Sequence, residues 1–216
     1  LRLDTLKITD SNISYGESVP QKGEAWTLNF DQMNARIVNL TTIPEYQEQK
    51  KNFDLEVVTK LEGYGQVNAK IVVPYDQDEF QMILNFESYP LTRLNQILRS
   101  IMNGEITEGH LERLRMSIHA KPKSAQVNMI FDYKELKVEL FNKSGEKKNK
   151  LLSGLANIAI HQSNLPGDKK YLSPSYQVDR NQYRGPFHLI WKSTKEGVMQ
   201  VIPGGVAKEI LLPSEK

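Results

Sequence analysis

Between Asn52 and Leu140 apolar residues return at every second position, and this period most limits what the chain can become. The runs are Leu55, Val57 and Leu61; Val67, Ala69, Ile71 and Val73; Phe80, Met82, Leu84 and Phe86. After a gap come Leu114, Met116, Ile118 and Ala120; Ala125, Val127, Met129, Phe131 and Tyr133; and Leu136, Val138 and Leu140. Side chains of an extended chain point alternately to opposite faces, so each run is a strand with one apolar and one wetted side. Connections of a few residues make successive strands antiparallel neighbours in one sheet. The gap has a different period. Leu91, Leu94, Ile97, Leu98 and Ile101 recur at helical spacing, and Asn103-Gly104 follows, which predicts a helix over Leu91–Met102 at a rim or end of the sheet.

The flanks are less regular. Leu1 to Thr9 reads as a strand whose phase slips at Thr5 and Leu6, and Asp10-Ser11-Asn12 reads as a turn. Ile13 and Tyr15 start a second strand, and Glu17 to Glu24 is a polar loop. Trp26, Leu28 and Phe30, then Ala35, Ile37 and Leu40, form a third strand broken near Met33. Thr42 to Lys51 is a charged connector, either a loop or a short polar helix. Glu62-Gly63-Tyr64-Gly65 is a hairpin turn, with both glycines allowing positive φ. Gly109 to Leu114 breaks phase, Ala120 to Ser124 turns at Pro122, and Tyr133 to Leu136 is a tight connection. Beyond Asn142 a basic loop leads to a short helix at Leu151, Leu152, Leu155 and Ile158, and then to an irregular stretch from Ser163 to Tyr176. Tyr183 to Ile202 is helical, with Phe187, Ile190, Trp191, Thr194, Val198 and Val201 on its inner face, and Ala207 to Leu212 is a last strand.

Motif chemistry is sparse. His110, His119, His161 and His188 form no pair at metal-ligand spacing and no HExxH. Asp76, Asp78 and Glu79 lack the glycine and distal glutamate of a calcium loop and read as a solvated turn. Gly63-x-Gly65 lies between strands and lacks a third glycine, and there is no P-loop and no GxSxG elbow. The chain has no cysteine, which excludes disulfides and thiolate sites. With 28 basic against 26 acidic residues it has no charge excess for nucleic acid. We therefore read the chain as non-enzymatic, without cofactor or metal. Lys143, Lys147 and Lys148 belong either to a solvated loop or to a site for anionic headgroups.

Several segments resemble the C-terminal region of AsmA-like bacterial envelope proteins of the Bacteroidetes type. They are Phe80-Gln-Met82-Ile-Leu84-Asn-Phe86, Leu91-Thr-Arg-Leu94-Asn, and Gly104-Glu-Ile106-x-x-Gly109-x-Leu111. Phe131-Asp-Tyr133-Lys-Glu-Leu136-Lys-Val138 and Arg184 to Gly197 with Trp191 continue the likeness. The resemblance implies a periplasmic segment tethered to the inner membrane by an anchor upstream of Leu1. It also implies a curved sheet with an apolar groove, a link to outer-membrane assembly, and phospholipid or another envelope lipid as ligand. It carries no catalytic residue.

The fold expected is β-rich α+β: one domain over residues 1–216, a fragment of a longer envelope protein, built on a curved, mostly antiparallel sheet. Residues 1–51 supply leading strands and a connector. Residues 52–142 supply the strand block with the helix over 91–102, and residues 143–216 the closing helices and tail. The lipid-contact candidates are Leu55, Val57, Val67, Ala69, Ile71, Met82, Leu84, Phe86, Met116, Ile118, Val127, Met129 and Phe131. From the residues alone that face is equally an ordinary core roofed by the chain's own helices, because apolar burial is non-directional, at about 25 cal/mol per Å². The competing readings are an envelope interaction module with no ligand, and a glycan hydrolase using Asp76 and Asp78.

Overall fold

The computed structural model describes residues 1–19, 24–101, 104–141, 149–150, 153–154 and 160–202. The alternating runs pair in chain order into one open eight-stranded sheet, antiparallel at every pairing. Its strands are β1 (Arg2–Val19), β2 (Glu24–Thr41), β3 (Asn52–Leu61), β4 (Gly65–Pro74), β5 (Phe80–Pro90), β6 (Gly104–Ala120), β7 (Ser124–Leu140) and β8 (Ser175–Asp179). Among the described residues the helices α1 (Pro44–Lys50), α2 (Asn95–Ile101, entered through a 3-10 turn at Leu91–Leu94) and α3 (Pro186–Val201) accompany them. The architecture is the β-rich α+β class the alternation predicts. The polar connector is the short helix α1, which buries none of its residues.

Three corrections concern strand continuity. Asp10-Ser11-Asn12 is a bulge inside one 18-residue strand, not a turn between two. Asp10 and Gln32 take positive φ, of 45° and 52°, where the β1–β2 register shifts. The displaced amides find side chains: Gln32 N–H donates to Asn12 Oδ1 at 3.1 Å and Asp10 N–H to Asn34 Oδ1 at 3.4 Å. The extra residue also restores the phase, so even-numbered Leu6 and Ile8 and odd-numbered Ile13 and Tyr15 lie on the same face. Likewise Tyr133–Leu136 is no connection but a bulge in β7 at Glu135 (φ 56°), opposite the irregular stretch of β6 at Gly109. Glu17–Val19 extends β1 and Glu24 opens β2, so the described residues of the expected polar loop are strand, and 20–23 lie outside the described residues.

The β3–β4 turn is where expected, but its positive φ values belong to Glu62 and Gly63. Gly65 is there for room: a Cβ on it would overlap the rings of Phe86 and Tyr89. Tyr176 lies in β8 rather than in irregular chain. The helix expected over Leu91–Met102 is a 3-10 turn followed by α2, with Leu91 and Ile97 buried. Asn95 fixes it to β6 as an extra strand residue would, giving Nδ2–H to the Ile106 carbonyl and accepting Ile106 N–H, both at 2.8 Å. The headgroup candidates Lys143, Lys147 and Lys148, the short helix at Leu151–Ile158 and the strand at Ala207–Leu212 lie mostly or wholly outside the described residues.

Helix α3 buries a different stripe from the one its large side chains predict. Leu189, Ser193, Gly197 and Val201 are buried, at four-residue spacing. A Cβ on Gly197 would overlap Met129 Sδ and Tyr176 Oη, so the helix backbone rests directly on β7 and β8. The aromatic residues go to its flank: Trp191 meets Trp26 with ring centroids 5.0 Å apart, and Phe187 meets Tyr15 at 5.2 Å and Phe30 at 5.8 Å. Thus Trp191 touches β2 while the Ser193 carbonyl accepts the Tyr176 hydroxyl of β8 at 2.7 Å. In a flat sheet those strands would be roughly 29 Å apart, against a helix diameter of about 10–12 Å. The sheet therefore curls around α3.

Two glycine substitutions separate close packing from backbone freedom. Gly65→Ala should destabilise the fold by about 1–3 kcal/mol in urea unfolding, since the Phe86 and Tyr89 rings must move. Gly185→Ala, at an open helix entry with nothing near its added Cβ, should change stability by under about 0.5 kcal/mol.

Candidate functional site

The register stacks the apolar positions into rows across the sheet. One row runs Ile37, Leu55, Ile71, Met82, Ile118, Val127 and Tyr176. The next runs Ala35, Val57, Ala69, Leu84, Met116 and Met129. A third runs Thr59, Val67, Phe86, Leu114 and Phe131. No row contains an ionisable carboxylate, ammonium or guanidinium.

Burial along the first two rows is graded. Their β6–β8 members are buried, under α3, which touches Met116 through Thr194 and Met129 through Gly197. Toward β2–β5, Ile37, Leu55, Val57, Ala69, Ile71 and Leu84 are only half-buried, while Ala35 and Met82 in the same rows are buried. Of the thirteen lipid-contact candidates, Val67, Met82, Phe86, Met116, Ile118, Val127, Met129 and Phe131 are buried inside the chain's own core. Leu55, Val57, Ala69, Ile71 and Leu84 form a contiguous half-covered strip. The ring pair Phe53–Tyr75, centroids 5.8 Å apart, lies at its end. Tyr75 is held there because its hydroxyl receives Thr41 N–H at 2.9 Å and donates to the Asn39 carbonyl.

The outer edge of β7 is closed. Beyond the five residues that pair with β8, the segment 160–174 runs along it as a strap. Fully buried Asn164 anchors the strap, its amide Nδ2–H donating to the Phe131 and Leu172 carbonyls and its Oδ1 accepting Leu172 N–H. Asp132, a carboxylate on the opposite side of β7 from Phe131, is buried where the strap crosses. It accepts Arg113 Nη2–H at 2.6 Å and the Tyr171 hydroxyl at 3.0 Å. Asp132 holds the Arg113 guanidinium above its ordinary pKa, and burial, followed by the bond to Asp132, raises the Tyr171 phenol. Burial pushes Tyr89 up to about 12. Arg113 stays charged and Tyr89 and Tyr171 stay protonated near neutrality, which suits anchoring.

Of the remaining candidate acids, Asp76 is exposed, and Asp78 and Glu79 meet surface partners. Asp78 lies 3.5 Å from Arg180, and Glu79 pairs with His119 at 2.8 Å. Among the described residues no three metal-ligating side chains converge. Among the described residues, too, no helix is long and apolar enough to cross a membrane. Sequence reasoning did not find the strap, β8 or the small-residue stripe of α3; only the four-residue spacing of Leu189, Ser193, Gly197 and Val201 could have signalled the last.

Comparison with known proteins brought no match: no family model, no curated protein and no solved structure aligns with this chain.

The strap has a pH signature. Leu165 N–H at 2.7 Å and Ser163 Oγ–H at 2.8 Å hold the Asp168 carboxyl below the usual carboxylate range. A depressed carboxyl stabilises the fold above its unfolded pKa of about 4, and that contribution is lost as pH falls through the lower folded value. Asp168→Asn should therefore melt below the parent at pH 7, and the two melting curves should converge as the pH falls past the unfolded carboxylate value and through the lower folded one.

Proposed function

We propose that this chain is a non-enzymatic segment of an AsmA-like envelope protein, whose half-covered apolar strip shields lipid acyl chains. The single observation that carries the reading is the graded burial of a continuous, charge-free face. It is sealed at β6–β8 and half-open over Leu55, Val57, Ala69, Ile71 and Leu84. An acyl chain laid on that strip removes the same kind of surface from water as a covering helix would, at about 25 cal/mol per Å². The likeness of the β5, α2 and β6 sequences to that family supports the periplasm as compartment. On that reading the parent chain is tethered to the inner membrane, and its ligand is a phospholipid or other envelope lipid. Envelope proteins, and not nucleic acid, are the expected macromolecular partners, in support of outer-membrane assembly.

A second reading has its own observation. Eight of the thirteen candidate positions are already buried within the chain, as an interaction module with a complete core would require.

The test is native mass spectrometry after incubation with phosphatidylglycerol vesicles. The chain should carry bound phospholipid, and Ile71→Asp or Leu84→Asp should cut the lipid-bound fraction by about tenfold or more with unchanged circular dichroism. A lipid-free mass for the parent chain would favour the closed module.

A further inference from the structure

Helix α3 lies on the most deeply buried part of the apolar face, and its contact surface is unusual for a core helix. Between the buried apolar residues Leu189 and Val201, the middle of its buried stripe is Ser193 and Gly197. Ser193 is fully buried, and its hydroxyl has no hydrogen-bond partner among the described residues. A buried hydroxyl without a partner is a penalty that displacement of the helix would relieve. Met116 and Met129 line the sheet beneath, and Met82 is buried on the neighbouring strand β5; their unbranched thioether chains repack around different occupants more readily than branched residues do. The approach to the helix, residues 181–186, is exposed, and the N-terminal end is held by the stacking of Phe187 on Tyr15 and Phe30 and by Gln182 Nε2–H donating to Asp78 at 2.8 Å. Few polar contacts hold the rest: Tyr176 Oη–H to the Ser193 carbonyl at 2.7 Å, Lys192 Nζ–H to the Asp179 carbonyl at 2.9 Å, and His161 N–H to the Ile202 carbonyl at 2.9 Å.

We infer that α3 is an intramolecular plug: it occupies the inner half of the acyl-chain site and is displaced when a lipid chain advances from the half-covered strip toward β6–β8. The inference rests on the lipid-shielding reading and adds regulation to it. In the closed state only the outer strip over β3–β5 is available. In the open state the rows through Met82, Met116 and Met129 become available as well. The two ligands of the face, helix and acyl chain, compete for one apolar surface, so holding the helix down must weaken lipid uptake.

The chain lacks cysteine, and its two tryptophans, Trp26 and Trp191, face each other across the plug contact. Both facts serve the test. Thr194 Oγ1 lies 3.6 Å from Met116 Sδ, so a full-length Thr194→Cys/Met116→Cys variant can be closed with a short bis-methanethiosulfonate linker and reopened with reductant. Uptake of phosphatidylglycerol with brominated acyl chains is read by native mass spectrometry, and tryptophan quenching is read in parallel. The linked protein should bind at least about tenfold less phospholipid than the reduced protein. In the unlinked parent chain, lipid should quench the tryptophans, because the brominated chain takes the place of the helix beside Trp26. Equal uptake by linked and reduced protein overturns the plug and leaves the lipid reading standing. No uptake by the reduced variant or the parent chain overturns both. Should the double variant fail to fold by circular dichroism, quenching in the parent chain decides alone: bound lipid without quenching overturns the plug.

Discussion

The structure depends on one constraint: apolar side chains must stay on a single side of an eight-stranded sheet although its four longest strands, β1, β2, β6 and β7, are too long to remain regular. Strands of 17 or 18 residues accumulate twist, and this sheet absorbs it in bulges at Asp10, Gln32, Gly109 and Glu135. Each bulge shifts the local phase, and in each strand the apolar residues change parity at the same place, so the greasy side stays continuous. A one-residue error anywhere would send the rest of that strand's apolar residues into water. The buried rows through Met82, Met116 and Met129 follow from this register.

Curvature follows from what covers the face. Small residues on α3 bring its backbone onto β7 and β8, while Trp191 and Phe187 extend sideways to β1 and β2. One helix thereby bridges strands that a flat sheet would hold far apart. The two sheet edges are treated differently. The strap and β8 close the β7 edge through Asn164 and the Asp132 ion pair. Among the described residues β1 has only β2 beside it. Under the proposed function, the sealed and half-covered parts of the face become one binding surface in two states of occupancy.

Much of the architecture was legible because alternation is cumulative: the apolar positions from Leu55 to Val138 agree with one another, and errors in single residues do not change the outcome. Bulges were harder to read. Asp10-Ser11-Asn12 has turn composition, and only pairing with β2 shows that its side chains patch a strand. The five residues of β8 are too few for a period to stand out beside Pro174. The seat of α3 was misread for a physical reason: hydrophobicity ranks Phe187, Ile190 and Trp191 as innermost, whereas close approach of a helix to a sheet favours Ser193 and Gly197. The candidate strip was visible as a set of apolar positions. The division between its buried and half-buried members was not, because it depends on where a helix some seventy residues beyond β6 lands.

The most direct measurement is methyl NMR of the full chain with spin-labelled phosphatidylglycerol vesicles, the nitroxide placed on the acyl chain. Methyl signals of Leu55, Ile71 and Leu84 should broaden strongly, while those of Val58 and Ile83, exposed on the opposite side of the same strands, should not. Equal broadening on both sides, or none at the half-covered strip, would contradict the claim that this one-sided wall is the working surface.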